Sequence, residues 1–438
     1  MDILIRIAQL MLSLTILVFI HELGHFLFAK SFGMRVSKFY LFFDPWFALF
    51  RYKPKKSETE YGIGWLPLGG YCAIDGMVDE RLAVEGMASE PEPWEFRAKP
   101  AWQRFLVMVG GVLFNVILAM LIYGGIAYTW GTDHIPMRNV GTSLTYTSVG
   151  HSMGLQDGDL PIAIDGKPFE YYEGMMIQKI ADGKVLTVLR DGKEVDVLVP
   201  VDLIQATLVT DSAFMYLSLP AVVDQIVPGS NAERDGFRKG DRVVALNGVG
   251  VEGLHTLLPD IQSGRGDSIR LTVLRDGQEL VIPTLADVED GLGVAFGSPT
   301  DVLGVEHRSY SIVESIPAGV SEAYKQLVGY TGQLKYVATK EGATKLGGFG
   351  TLGSLFAPVW NWRAFWSMTA FISVILAVMN LLPIPGLDGG HILFIFIEIL
   401  RGKPVSLKWQ TRLQIFGMIL LLGLVLYANV LDIFRFLL

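Results

Sequence analysis

Four stretches of this chain stay apolar long enough to cross a bilayer: 3–28, 105–128, 365–382 and 413–430. A helix needs about 20 such residues to span the hydrocarbon core, so each stretch predicts a membrane helix. The first carries Arg6 and Gln9 near its start, and its other strongly polar residues fall together at His21-Glu22-Leu23-Gly24-His25. The third is interrupted by Asn380-Leu381-Leu382-Pro383-Ile384-Pro385-Gly386-Leu387-Asp388-Gly389-Gly390 and resumes as an apolar run over 391–400. Two prolines and three glycines cannot continue a helix, so the backbone is predicted to unwind there. Between the second and third stretches the periodicity changes to two. Short alternating runs at 186–189, 195–201 and 269–274, separated by Asp-Gly pairs, predict β-strands joined by tight turns. Over 322–340, Ala323, Leu327, Tyr330, Leu334 and Val337 recur at helical spacing and predict an amphipathic helix leading back to the membrane. The segment 346–355 is Gly-rich and apolar and predicts no definite element.

The strand-rich region repeats itself. Leu186-Thr187-Val188-Leu189-Arg190-Asp191-Gly192 recurs identically as Leu271-Thr272-Val273-Leu274-Arg275-Asp276-Gly277. Upstream, Gly154 to Asp159 and then Ile164-Asp165-Gly166 match Gly236 to Asp241 and then Leu246-Asn247-Gly248. This pattern resembles bacterial PDZ domains. The second copy, preceded by Pro228-Gly229-Ser230-Asn231-Ala232, is the better match; the first is degenerate, with His151-Ser152-Met153 at the corresponding turn. Such modules bind extended peptides by adding a strand to a sheet edge, or serve as spacers or lids without a ligand.

Composition sharpens this picture. Of 438 residues, 51% are hydrophobic and only 18% charged, which points to a membrane protein with substantial soluble parts. A net charge of −8 argues against nucleic acid as a partner. The single cysteine, Cys72, excludes an internal disulfide and a multi-cysteine zinc site, and reads as an ordinary small apolar residue. The first apolar run is too long for a signal-peptide core and reads as a retained membrane helix. Basic residues gather between the first two runs, from Lys30 and Arg35 through Lys55 to Arg104, and again at Arg401, Lys403, Lys408 and Arg412. The positive-inside rule places both groups in the cytoplasm, and both termini and residues 131–359 outside.

The polar cluster in the first run carries the chemistry. On a helix His21 and His25 lie one turn apart on the same face, so two imidazoles can hold one Zn²⁺. Glu22 beside them is placed to take a proton from an activated water. A catalytic zinc site needs a third protein ligand, and Asp388 in the break of the third span is a carboxylate too costly to leave unpaired at membrane depth. His391 competes for that role from just beyond the glycines. Taken alone, a broken span with one Asp also suits an ion-binding transporter site.

HExxH on the first core helix and NxxPxPxLDGG on a later one, both matched in full, resemble the site-2 protease family of zinc intramembrane proteases, in its RseP-like branch. The order of the motifs, the four spans and the paired modules extend the likeness over nearly the whole chain. The resemblance implies that His21, His25 and Asp388 ligate zinc, that Glu22 is the general base, and that Asn380 positions substrate or the developing oxyanion. Thr59 to Tyr71, ending in Pro67-Leu68-Gly69-Gly70-Tyr71, is similar to the family's membrane re-entrant β-hairpin, which makes Gly69, Gly70 and Tyr71 candidate substrate-binding residues. An ordinary cytoplasmic hairpin is the other reading. Two departures stand out: Gly110-Gly111 precedes Asn115 where the family usually shows Gly-Pro, and Gly347-Gly348-Phe349-Gly350 replaces a second common Gly-Pro.

The implied fold class is a polytopic α-helical membrane protein with four transmembrane helices, a re-entrant β-hairpin and two β-rich PDZ-like domains. Its parts are a first helix over 1–30, a cytoplasmic segment 31–104 with the hairpin at 59–71, and a second helix over 105–128. Modules at 131–215 and 220–297 follow, then an amphipathic helix and Gly-rich linker over 318–360. A broken third segment at 361–400 and a fourth helix at 411–432 complete the chain. The implied activity is zinc-dependent cleavage of single-span membrane proteins, anti-sigma factors or signal-peptide remnants, after a first trimming cut. The setting is the bacterial inner membrane, with the lipid bilayer as the surrounding partner and a monomer as the working form. The rival classes are a non-catalytic PDZ scaffold, against which the intact Glu22 argues, and a metal or proton transporter. The latter requires further intramembrane carboxylates, and the apolar segments offer only Glu398.

Overall fold

Helices long and apolar enough to cross a membrane form over Asp2–Ser31, Ala101–Trp130, Trp362–Leu381 and Leu407–Leu437, here the first to fourth spans. The computed structural model describes every residue except 1, 68, 78–89, 142, 174–175, 211–212, 265, 287–291, 298–301, 338 and 438. The chain divides into two units, one of Met1–Gly131 with Ser309–Leu438, the other of Thr132–Arg308.

In the first unit the first and second spans cross at glycines. A Cβ on Gly24 would lie 2.3 Å from the Gly110 carbonyl oxygen, so neither helix tolerates a side chain at the crossing. The third span also packs on the second, with Ser373 donating to the Asn115 backbone carbonyl at 2.8 Å. Ile312–Val337 forms the expected amphipathic helix, beginning earlier than 322. Its buried face of Ser315, Gly319 and Ala323 lies on the second span, where a Cβ on Gly319 would stand 2.4 Å from the Gly124 nitrogen. The segment that predicted no element contains a helical turn, Phe349–Ser354. Its amides at Gly348 and Thr351 donate to the Asp432 carboxylate at 3.0 and 2.8 Å, so its cap comes from the fourth span.

Between the first two spans lies a four-stranded sheet of β1 (Val36–Leu41), β2 (Phe43–Tyr52), β3 (Glu60–Leu66) and β4 (Tyr71–Ile74), in the order β2-β3-β1-β4. This corrects the hairpin expected over 59–71. β3 and β4 do not pair with each other: β1 runs between them, parallel to β3 and antiparallel to β4. The true hairpin joins β2 to β3. β1 takes the central place because its Tyr40 ring fills the space a side chain on Gly62 would need, 2.3 Å from that Cβ, and stacks on Tyr71 at 5.2 Å. The Tyr40 hydroxyl donates to Glu60 at 2.5 Å, tying β1 to the start of β3.

In the second unit the sequence repeat becomes a structural one. The first module carries an antiparallel sheet in the order Lys193–Leu198, Val185–Arg190, Leu160–Ile164, Lys167–Pro168. The second orders Gln278–Leu285, Ser268–Arg275, Arg242–Leu246, Ala221–Ile226 and Val294–Phe296. The strand expected over 195–201 ends at Leu198. Asp165, Asp191, Asn247 and Asp276 all adopt φ of 48 to 51°, each followed by a positive-φ glycine, the geometry of tight hairpin turns that right-twisted strands require. Arg190 forks onto Asp159 at 2.8 and 2.6 Å, and Arg275 onto Asp241 at 2.7 and 2.6 Å. Burial acts to raise both carboxyls, yet the guanidinium and a nearby backbone amide outweigh it and hold each below the ordinary value. Even the degenerate turn keeps its capping: Thr147 accepts from the Val149 amide as Ser230 accepts from that of Glu233.

Candidate metal centre

The first span presents His21 and His25 one turn apart, with their Nε2 atoms 3.1 Å from each other. Asp388 brings Oδ2 to 3.2 Å from His21 Nε2 and 3.3 Å from His25 Nε2. Donors 2.0–2.1 Å from a tetrahedral zinc stand about 3.3 Å apart, so this triangle has the size of one face of a zinc site. Asp388 Oδ2 is buried and faces the two imidazole Nε2 atoms, whose lone pairs cannot satisfy it when the imidazoles are neutral with the proton on Nδ1. A buried carboxylate oxygen left so is costly unless a cation completes it. The donor set of two imidazoles and one carboxylate fits zinc.

The break in the third span delivers this carboxylate. The span stops at Leu381, and Asp388 opens the next helix, Asp388–Arg401. The motif's glycines are steric requirements: a Cβ on Gly389 would lie 2.0 Å from the Leu382 carbonyl oxygen, and Gly386 takes φ of +98°. The fourth span clamps the break through Gln414, whose Oε1 accepts from the Gly386 amide while its Nε2 lies 2.8 Å from His391 Nε2. His391 thus faces Gln414. Among the described residues the metal-ligating group consists of His21, His25 and Asp388, without His391.

Glu22 is approached from the sheet side. A Cβ on Gly70, just before β4, would lie 3.5 Å from Glu22 Cγ. β4 approaches this closely because position 70 is glycine; a Cβ there would lie 2.7 Å from the Tyr40 carbonyl oxygen and 2.8 Å from Val18 Cγ1. A cavity of about 500 Å³ opens at the site. Its walls include all of the predicted residues: His21, Glu22, His25 and Asp388, together with Gly69, Gly70, Tyr71 and Asn380. The arrangement joins a three-donor metal face, a carboxylate able to move a proton and a strand edge in one chamber.

Peptidase family M50 matches residues 9–424. The chain belongs to peptidase family M50. Regulator of sigma-E protease RseP of Escherichia coli is 28% identical over 97% of this chain and 98% of its own length. Regulator of sigma E protease of Haemophilus influenzae is 27% identical over 99% and 100%. A Ralstonia nicotianae protein that bears the name of a zinc metalloprotease is 26% identical over 98% and 99%. The M50 peptidase described here is a zinc metalloprotease of the site-2 type, set in the membrane by its four spans. Glu398, the further carboxylate weighed for the transporter reading, is closed by Arg104 in a two-pronged pair at 3.0 and 2.5 Å.

Several contributors to this peptidase site escape a reading by motif. His25 Nδ1 lies 2.8 Å from the Val107 carbonyl oxygen, a backbone group no sequence pattern marks. A Cβ on Gly111 would stand 2.5 Å from His25 Nε2 and 2.6 Å from His21 Cε1. Gln414 and Asn115 did leave a signal: each is an amide in an apolar span, where polar side chains are expensive. The Cys72 side chain is buried in an apolar cluster as expected.

Proposed function

We propose that this peptidase cleaves the transmembrane segments of single-span membrane proteins, of the anti-sigma-factor or signal-peptide-remnant kind, after their outer domains have been trimmed. The observation that carries this reading is the placing of β4, which starts beside Gly70, where a Cβ would lie 3.5 Å from Glu22 Cγ, while β1 occupies the strand's other side. A transmembrane helix hides its peptide bonds. A substrate stretch drawn out beside Gly69, Gly70 and Tyr71 exposes them next to the base. Asn380, in the same cavity wall, would orient the scissile carbonyl.

Zinc held by His21, His25 and Asp388 would supply Lewis acidity toward the carbonyl and toward a water. Glu22 takes the proton of the attacking water and returns it to the leaving amine.

The sheet dips into the bilayer from the cytoplasmic side in this proposal. β2 supports it by exposing Trp46, Phe47, Leu49 and Phe50, with Trp46 at 88%. Both termini and the PDZ-like modules lie outside the bacterial inner membrane, and a monomer performs the reaction. The modules act as a size filter on substrates. Deleting 131–295 then leaves cleavage of trimmed substrates intact and admits untrimmed ones; loss of cleavage of both forms at normal abundance would assign the modules to recruitment instead.

The direct test reconstitutes the full chain in liposomes with a trimmed single-span substrate. Cleavage within the span by the wild type, absent with Glu22→Gln, is the expected result. Cutting confined to the soluble flank would refute the intramembrane assignment.

A further inference from the structure

The two zinc-facing histidines of the first span are both braced by the second. Val107, Gly111 and Asn115 recur every fourth residue and so form one stripe along that helix. At one end the Val107 carbonyl oxygen meets His25 Nδ1 at 2.8 Å. In the middle Gly111 leaves room for both rings. At the other end Asn115, wholly buried, brings its carboxamide to 3.2 Å from His21 Nδ1.

The Val107 contact has one chemical reading. A carbonyl oxygen only accepts, so His25 carries its proton on Nδ1 and its lone pair on Nε2, the atom that faces Asp388. His21 presents Nε2 to the same point, so its proton also belongs on Nδ1 and needs an acceptor. As placed, the amide turns its NH₂ end to that nitrogen, donor against donor. Its Oδ1 is buried and accepts no hydrogen bond, so no bond holds the oxygen where it is. The two ends of a carboxamide have nearly the same shape, and hydrogen bonding decides which one faces a partner. A half-turn of the amide puts the oxygen opposite Nδ1–H without breaking another contact.

We infer that Asn115 is a positioning residue of the metal centre: its side-chain oxygen accepts the Nδ1 proton of His21, fixes that tautomer and aims Nε2 at zinc. The role rests on the zinc site proposed above. It matches what the Val107 carbonyl does for His25, and it makes the second span responsible for both ring orientations. Because the contact is to the ring nitrogen remote from the metal, its loss lowers metal affinity without removing a ligand.

The test measures zinc affinity of the purified full chain by competition with a chromogenic chelator. Asn115→Leu keeps the size and apolar fit but removes the acceptor; affinity falls about 10–100-fold. Asn115→Asp offers oxygen at either end and retains or exceeds wild-type affinity. Wild-type affinity in the Leu variant, or an Asp variant as weak as the Leu one, overturns the proposal. A ¹⁵N-histidine spectrum of the zinc-loaded wild type gives a second readout: His21 must carry its proton on Nδ1, and a proton on Nε2 overturns the proposal even if a variant fails to fold. A wild type that takes up no zinc would instead overturn the metal assignment itself, and this role with it.

Discussion

The paired modules and the membrane unit each bury a carboxylate against nitrogen donors, and they do so to opposite ends. In the modules Asp159 and Asp241 are each closed by an arginine fork, and both oxygens are used. A guanidinium brings a permanent charge, so the protein balances the pair by itself and gains a clasp. Glu398 and Arg104 repeat that solution inside the membrane unit. Asp388 is different. It meets two imidazoles whose outer nitrogens are engaged by the second span, and its Oδ2 points between their Nε2 atoms. A buried carboxylate closed by arginine is architecture, whereas one left open between histidines is a seat for a cation.

The contrast is sharpest at Glu22. Glu22→Gln should reduce cleavage by about 10³-fold while zinc remains bound, because the proton carrier is lost and the ligands are untouched. A single-turnover assay on a single-span substrate reads this, and near-wild-type cleavage would remove Glu22 from the mechanism. Next comes the second-span stripe. Gly111→Ala places a methyl 2.5 Å from His25 Nε2, and the displaced ring should lower activity about 10²-fold. Gly125→Ala on the same helix meets nothing within 4 Å and should leave the rate unchanged. Equal effects of the two would mean that the stripe does not shape the site.

Arg190→Ala and Arg275→Ala test the other side of the comparison. Each strips a buried carboxylate of its partner and should destabilise its own module by about 3 kcal/mol, read as faster hydrogen exchange confined to that module. Cleavage of a trimmed substrate should be unchanged. If either variant lost activity as Glu22→Gln does, the division between clasp and catalytic seat would fail. The smallest effect is one of pH. Because Asp159 and Asp241 titrate below the ordinary carboxyl value of about 3.9, their stabilisation is complete above that value. It drains away as the pH falls through the lowered native values. Module protection factors, corrected for the intrinsic pH dependence of amide exchange, should therefore be flat near neutrality and fall only in acid; a fall already near pH 6 would point to histidine instead.

The two regions were legible in sequence for different reasons. His21, Glu22 and His25 are encoded by spacing within one helix turn, and Asp388 by a helix break that an apolar span has no other use for. The modules were legible because their turns and clasps occur twice, down to Arg190 and Arg275. What failed depended on partners distant in sequence. β3 and β4 resembled a hairpin because nothing in 59–71 announces that β1 will lie between them. The turn Phe349–Ser354 takes its cap from Asp432, far along the chain. Asn115 and the Val107 carbonyl act on another span, and only packing brings them to the imidazoles.

Metal analysis of the purified Asp388→Ala chain beside the wild type decides whether Asp388 completes a zinc seat with His21 and His25. The wild type should carry equimolar zinc, and the variant should lose most of it, since two imidazoles alone hold the ion poorly. Full zinc stoichiometry in Asp388→Ala would contradict the account and move that carboxylate from the metal to the substrate.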